Sequence, residues 1–213
     1  MNRRRLLPLL AAPLFAQRGT NVGRRIPPVD HAARDPKLLA FRNTALAAAA
    51  RRDAAWFLAR LTPEPYSSFS GRRTPEDFAS FWQLADPAGT PFWKELPAVL
   101  RLGGCFSDPA HFVSPYFHAL FPSDIDAWEH EVVIRPAAPL RAEPDPRAPV
   151  LESLRFDIVE IQAFNEEPWR FVRSASGRLG YVERAALRSP HGPRVTLERV
   201  QDQWRLAAFL AGD

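Results

Sequence analysis

The chain of 213 residues is 46% apolar, with six Trp and fifteen Phe; this supplies a hydrophobic core and excludes a globally disordered protein. Twenty-two prolines against ten glycines predict short, interrupted elements. The formal net charge of +4 comes largely from the first residues: positions 1–16 hold three Arg and no acid, the rest balances at +1 with its bases scattered among acids, and that pattern argues against a nucleic-acid partner.

In chain order, "MNRRRLLPLLAAPLFA" (1–16) reads as an export signal peptide. Arg3, Arg4 and Arg5 form its positive head, Leu6 to Phe15 its apolar run, and Ala16 a cleavage position. The run is too short to anchor stably across a bilayer. Arg3-Arg4-Arg5-Leu6-Leu7 loosely fits a twin-arginine signal, so both export routes stay open. The prediction is a periplasmic or secreted product with no stable membrane span after signal removal. Residues 17–35 are polar with Gly and Pro and read as a flexible arm.

A helical region is predicted over 36–128. Asp35 as N-cap and Pro36 at the first position open a helix carrying Leu38, Leu39, Leu46, Ala49, Trp56, Phe57 and Leu61. It should end before Pro63, with Arg51-Arg52-Asp53 as a weak point. Thr74, Pro75 and Asp77 form a capping-box start for a second helix with an aromatic face of Phe78, Phe81 and Trp82; Pro87-Ala88-Gly89 ends it. A third helix, Pro91 to Leu102, is interrupted at Pro97 and stopped by Gly103-Gly104. "FSDPAHFVSPYFHALFPSDIDAWE" (106–129) reads as an aromatic-rich loop with short turns, and Glu129-His130-Glu131 as a solvent-facing charged junction.

From Glu131 the texture changes to short, alternating runs bounded by turn residues: "EVVIRPAAPLRAEPD", "APVLESL", "FDIVEIQAF", "WRFVRS" and "GRLGYVE". Such spacing suggests a small barrel. The final run, "RVTLERVQDQWRLAAFLAGD", reads as a hairpin over 193–212 turning at Asp202-Gln203.

Segment 131–189 resembles a bacterial SH3 (SH3b-like) domain. The likeness rests on "VVIRPAAPLRAEPDPRAPV", the central "FDIVEIQAF", then "WRFV", and the closing "GRLGYVERAALRS". It implies an α+β protein in which the helical region is followed by an SH3-like β-barrel (130–189) and a C-terminal β-hairpin. It also implies binding of a peptide or a peptidoglycan-like cell-wall component. The corresponding ligand-binding candidates are Trp169, Tyr181, Phe164 and Glu166. Each has a plainer role: Trp169 as core packing, Tyr181 with a buried ring and an outward hydroxyl, Glu166 in a solvated turn. The helix "AAAARRDAAWFLARL" and the Trp204-Arg205-Leu206 step resemble NTF2-like proteins, whose intervening strands are not apparent in the sequence.

No catalytic or metal constellation is indicated. A single Cys excludes an internal disulfide, and Cys105, in "LGGCF", reads as a buried, inert thiol. His111 and His118 lie near it in sequence, but the Cys lacks the polar helix start of a nucleophile. With Asp108 and Asp124 the same histidines could form a metal site, though nothing in the spacing demands one. No cofactor is expected. The helical aromatics read as core, with a groove between the helical region and the barrel as the alternative. Three functional readings follow: an exported, non-enzymatic binding or scaffolding module; a hydrolase or other enzyme working at that groove; and a structural interaction protein without a small ligand, possibly NTF2-like.

Overall fold

The computed structural model describes residues 24–68, 71–86, 90–164 and 168–211. The predicted signal peptide (1–16), the helix stop at 87–89 and Glu166 lie outside the described residues. The fold is α+β; the described residues form five α-helices and two mostly antiparallel sheets. Among the described residues, no helix is long and apolar enough to cross a membrane.

Helix α1 (Pro36–Ala50) begins as its sequence dictates: Asp35 Oδ1 accepts from the backbone N–H groups of Lys37 and Leu38, and Pro36 sits where no N–H is needed. The single helix expected to run toward Pro63 is instead two. Arg52 takes a left-handed conformation (φ 54°), and Asp53 restarts the chain as N-cap of α2 (Ala54–Leu58) by accepting from Trp56 N–H. Of α1, the buried residues are Leu38, Ala45, Ala48 and Ala49, and small alanines permit close helix approach.

The 36–128 region is not wholly helical; it supplies four strands. Strand β1 (Leu61–Ser67) holds Pro63 and Pro65, which argue against a strand in the sequence. They are tolerated because the β1 ladder is irregular between Leu61 and Tyr66, so their missing N–H groups interrupt no regular pairing. The hairpin partner β2 (Gly71–Arg72) follows. Helix α3 (Pro75–Phe81) has the complete Thr74–Asp77 capping box expected of it, and α4 (Phe92–Arg101) carries Pro97 inside. The predicted loop after Gly104 folds as β3 (Cys105–Asp108), β4 (His111–Ser114) and the short helix α5 (Tyr116–Leu120). Asp108 Oδ1 accepts from the N–H of Ala110 and of His111, a side-chain-built turn that joins the two strands.

Seven strands follow: β5 (His130–Val133), β6 (Ala138–Arg141), β7 (Val150–Leu154), β8 (Ile158–Ile161), β9 (Trp169–Arg173), β10 (Leu179–Glu183) and, after a 3₁₀ turn at Arg184–Ala186, β11 (Leu187–Arg188). They form one antiparallel sheet in the order β11-β5-β8-β9-β10-β6-β7. The expected closed barrel is not formed: β7 and β11 are edges and do not pair with each other. The C-terminal hairpin, β12 (Arg194–Val200) and β13 (Gln203–Leu210), turns one residue earlier than predicted, at Gln201-Asp202. Both turn residues have positive φ (48° and 63°), the two-residue geometry that suits the right-handed strand twist.

That hairpin belongs to the first sheet, whose order is β2-β1-β13-β12-β4-β3, with β1 and β13 parallel. The chain leaves this sheet at β4, builds the whole second sheet, and returns at β12. The second sheet is therefore an insertion into a host unit. The host helices cover one face of the first sheet around Phe57, Phe78, Trp82, Phe92, Trp93, Trp204 and Phe209. The insert has its own core of Val133, Leu140, Leu154, Val159, Val172 and Val182.

A third cluster joins the two units: Ile26, Cys105, Tyr116, Phe117, Ile125, Val132 and Ile158. Strand β5 serves both sides, Val132 facing this junction and Val133 the insert core. The part of the predicted flexible arm that is described, 24–35, is tied down. Ile26 N–H donates to the Phe156 carbonyl at 2.9 Å, Arg25 pairs with buried Asp157 at 2.8 Å, and His31 N–H donates to the Gly104 carbonyl at 2.9 Å. Close passage of β4 requires glycine at Gly104, where a Cβ would fall 2.3 Å from the Val113 carbonyl oxygen.

Candidate functional site

Strands β9 and β10 sort their side chains by simple alternation. Arg170, Val172, Gly180 and Val182 face inward and are buried. The opposite face presents Trp169, Phe171 and Arg173 from β9 and Leu179, Tyr181 and Glu183 from β10. The register places Phe171 directly opposite Tyr181, Trp169 opposite Glu183, and Arg173 opposite Leu179. The Phe171 and Tyr181 rings lie 4.9 Å apart, tilted by 39°. Arg141 of β6 is next in line beside Tyr181, its Nη1 donating to the Ala148 carbonyl at 2.7 Å.

Of the four residues singled out in the sequence, Trp169 and Tyr181 thus share one outward sheet face, both half-buried. Phe164, in the loop between β8 and β9, is 75% exposed. Glu166 lies outside the described residues. The sequence reading missed Phe171, although its place two residues after Trp169 in an alternating run signals the same face. Leu179, 44% exposed, extends the strip.

Behind the strip lies a buried ionic group. Glu131, predicted to face solvent, is only 2% exposed. Its carboxylate meets Arg184 Nη1 at 2.6 Å and Arg170 Nε at 3.4 Å, and Arg170 Nη1 also donates to the Ala163 carbonyl. Glu131 shares the inward face of β5 with Val133. The partner that makes this tolerable lies 39 residues on, so no local pattern announces it.

The residues considered for nucleophilic or metal chemistry have separate surroundings. Cys105 is buried in the junction cluster, and burial raises its thiol above the ordinary range. His111 Nδ1 lies 2.8 Å from Asp108, whose carboxyl is held low chiefly by the Ala110 N–H and by His111 itself. His118 Nδ1 lies 3.0 Å from the Pro190 carbonyl, and burial pulls its imidazole below the usual value. Asp124 pairs with Arg24. Among the described residues, no group of three or more His, Cys, Asp or Glu is placed to hold a metal ion.

The helical aromatics fill the host interior. Phe57 and Phe92 meet edge-on at 5.3 Å, as do Phe92 and Phe209 at 5.1 Å, and Trp82 lies tilted against Phe209 at 4.6 Å. Concave surface lies elsewhere. A depression of about 810 Å³ lies between α1, α2 and the β12–β13 turn, and a groove of about 450 Å³ lies where α4 and α5 meet the end of the insert.

In comparisons with known proteins, no family model, no curated protein and no solved structure matches the chain.

Proposed function

We propose that the protein is an exported, periplasmic or secreted, non-enzymatic binding or scaffolding module. Its 130–189 segment acts as an SH3-like unit, and its ligand is a peptide or cell-wall component. One observation carries the reading: an outward aromatic strip, Trp169, Phe171 and Tyr181, bordered by exposed Leu179 and by Arg141 and Glu183. Half-exposed aromatics on a sheet face grip extended peptides and sugar rings through flat apolar contact, while flanking charges orient the polar ends. The short 3₁₀ turn after β10 accords with the resemblance of "GYVERAAL".

The test is a pull-down of the signal-free protein with purified peptidoglycan. Tyr181→Ala and Trp169→Ala should each weaken retention several-fold while leaving the far-UV spectrum unchanged. Retention at background, or both variants matching the wild type, overturns the reading.

A second reading concerns the host unit, for which the NTF2-like likeness of α1–α2 and Trp204-Arg205-Leu206 is supported by β1 to β4, strands the sequence did not reveal. With its interior packed by aromatics, such a host serves as a scaffold for the insert. The enzyme alternative draws no support from the 450 Å³ groove: neither Cys105, His111 nor His118 lines it.

A further inference from the structure

The groove between host and insert has a composition that selects a ligand. Its accessible apolar lining comes from Leu102 of the host, Ala185 of the insert and Pro193 on the return crossover, over a floor of buried Val99, Phe117 and Leu187. Three cations stand on its walls, Lys94, Arg184 and Arg188, against one lining acid, Glu95. Glu95 is engaged by two of them: Arg188 Nη1 lies 3.2 Å from its Oε2 and Lys94 Nζ 3.8 Å from its Oε1. Arg184 Nη1 is engaged with Glu131, a carboxylate shared with buried Arg170. A guanidinium has five N–H donors, and one Nη1 contact uses at most two. Both guanidinium side chains remain partly open to solvent, at 41% and 36%, and the Lys94 side chain is 86% exposed. The groove is thus an apolar slot with surplus positive charge, at a boundary between structural units where ligand sites concentrate.

We infer that this groove binds a small amphipathic carboxylate, its apolar body against Leu102, Ala185 and Pro193 and its carboxylate on Arg188, Arg184 and Lys94. The arginines can meet both carboxylate oxygens at once, a geometry that a point charge does not provide. A ligand seated there touches α4 and the 184–188 segment together, and so stiffens the attachment of insert to host. This site is separate from the aromatic strip on β9 and β10.

Titration calorimetry of the signal-free protein with octanoate at low ionic strength tests the inference. Saturable binding is expected with Kd on the order of 1 mM, an affinity suited to a ten-heavy-atom ligand. Methyl octanoate and octylamine should bind at least ten-fold more weakly, because the charge-assisted contacts are lost or reversed. Arg188→Gln should weaken octanoate by a similar factor. Lys94→Ala, at an exposed position with no packing role, should weaken it two- to three-fold and serves should Arg188→Gln disturb the fold. Tyr181→Ala should leave octanoate binding unchanged, even if it abolishes retention on the wall. Equal binding of the ester overturns the inference by making the cations irrelevant. Inorganic phosphate binding as tightly as octanoate overturns it by making the apolar slot irrelevant, and absence of any octanoate heat overturns it outright.

Discussion

Trp128 and His191 stack face to face, with ring centroids 4.0 Å apart and planes 20° from parallel, and they stand on the two chain segments that link insert to host. Trp128 precedes β5 on the way out; His191 follows β11 on the way back. The stack therefore staples the crossovers side by side, although Trp128 is 60% exposed. The second crossover is also held by His118, through the Pro190 carbonyl, and by Arg194, through the His191 carbonyl.

Removing the staple should loosen the junction without unfolding either core. Trp128→Ala is expected to cost about 1 kcal/mol, within the range for an aromatic pair, and to speed amide exchange at 126–130 and 189–193. Protection in β9, β10 and β13 should stay as in the wild type. Hydrogen-exchange mass spectrometry resolves these segments, and a uniform loss of protection would show that the stack supports the whole fold instead.

Asp35 ties the start of α1 to the last strand. One oxygen caps the helix, and the other accepts from Trp204 Nε1 at 3.0 Å. Burial pushes its carboxyl upward, but the N–H groups of Leu38, Trp204 and Lys37 and the charge of Arg199 outweigh that, and its value lies below the ordinary 3.8. A carboxyl lowered on folding stabilises fully above its unfolded value and loses that contribution as pH falls through its folded value. Asp35→Ala should cost about 2 kcal/mol at pH 7, for the lost cap and the orphaned indole N–H. Asp35→Asn keeps an acceptor and should cost less. Urea melts at pH 7 and pH 3 should show the gap between wild type and Asp35→Asn shrinking at the acid end; a pH-independent gap would contradict this account.

The Glu131 group predicts strong coupling. With Glu131 at 2% and Arg170 at 5% side-chain exposure, Glu131→Ala removes the counter-charge of a guanidinium held in the interior and should cost about 3–5 kcal/mol. Arg170→Met strands the carboxylate, though Arg184 still meets it, and should cost less. The double variant should recover a large part of the sum, because neither charge remains unpaired. Additive losses in equilibrium denaturation would mean that the two charges do not depend on each other.

What was legible in the sequence was local. The Asp35 and Thr74–Asp77 caps, the weak point at Arg51-Arg52-Asp53 and the β12–β13 hairpin all rest on contacts within a few residues. The outward placement of Trp169 and Tyr181 follows from strand alternation alone. Strand β1 was hidden because its two prolines read as breakers, and its pairing with β13 bridges nearly the whole described chain. The insertion topology was hidden as well: 106–129 reads as a loop, so β3 and β4 are missed, and the alternation that marks β12 as a strand says nothing of which strand it will pair with. Within the candidate site, Phe171 was legible from its period with Trp169, whereas the burial of Glu131 depends on Arg170 and Arg184, set by tertiary contacts.

Cys105 offers a probe of the host–insert junction, since it shares one cluster with Ile26 of the arm, Phe117 of α5 and both Val132 and Ile158 of the insert. It is 4% exposed, and burial raises its thiol, so little thiolate exists at neutral pH and reagent cannot reach it in the closed state. Labelling by a thiol reagent should be slow in the wild type and limited by opening of the junction. Ile26→Ala removes apolar contact from that cluster and should cost about 2–4 kcal/mol of local stability. It should therefore speed labelling by orders of magnitude, while Leu154→Ala, in the insert core, should speed it only as far as global unfolding rises. Equal acceleration by the two variants, at matched global stability in urea, would show that the junction does not open as a unit of its own.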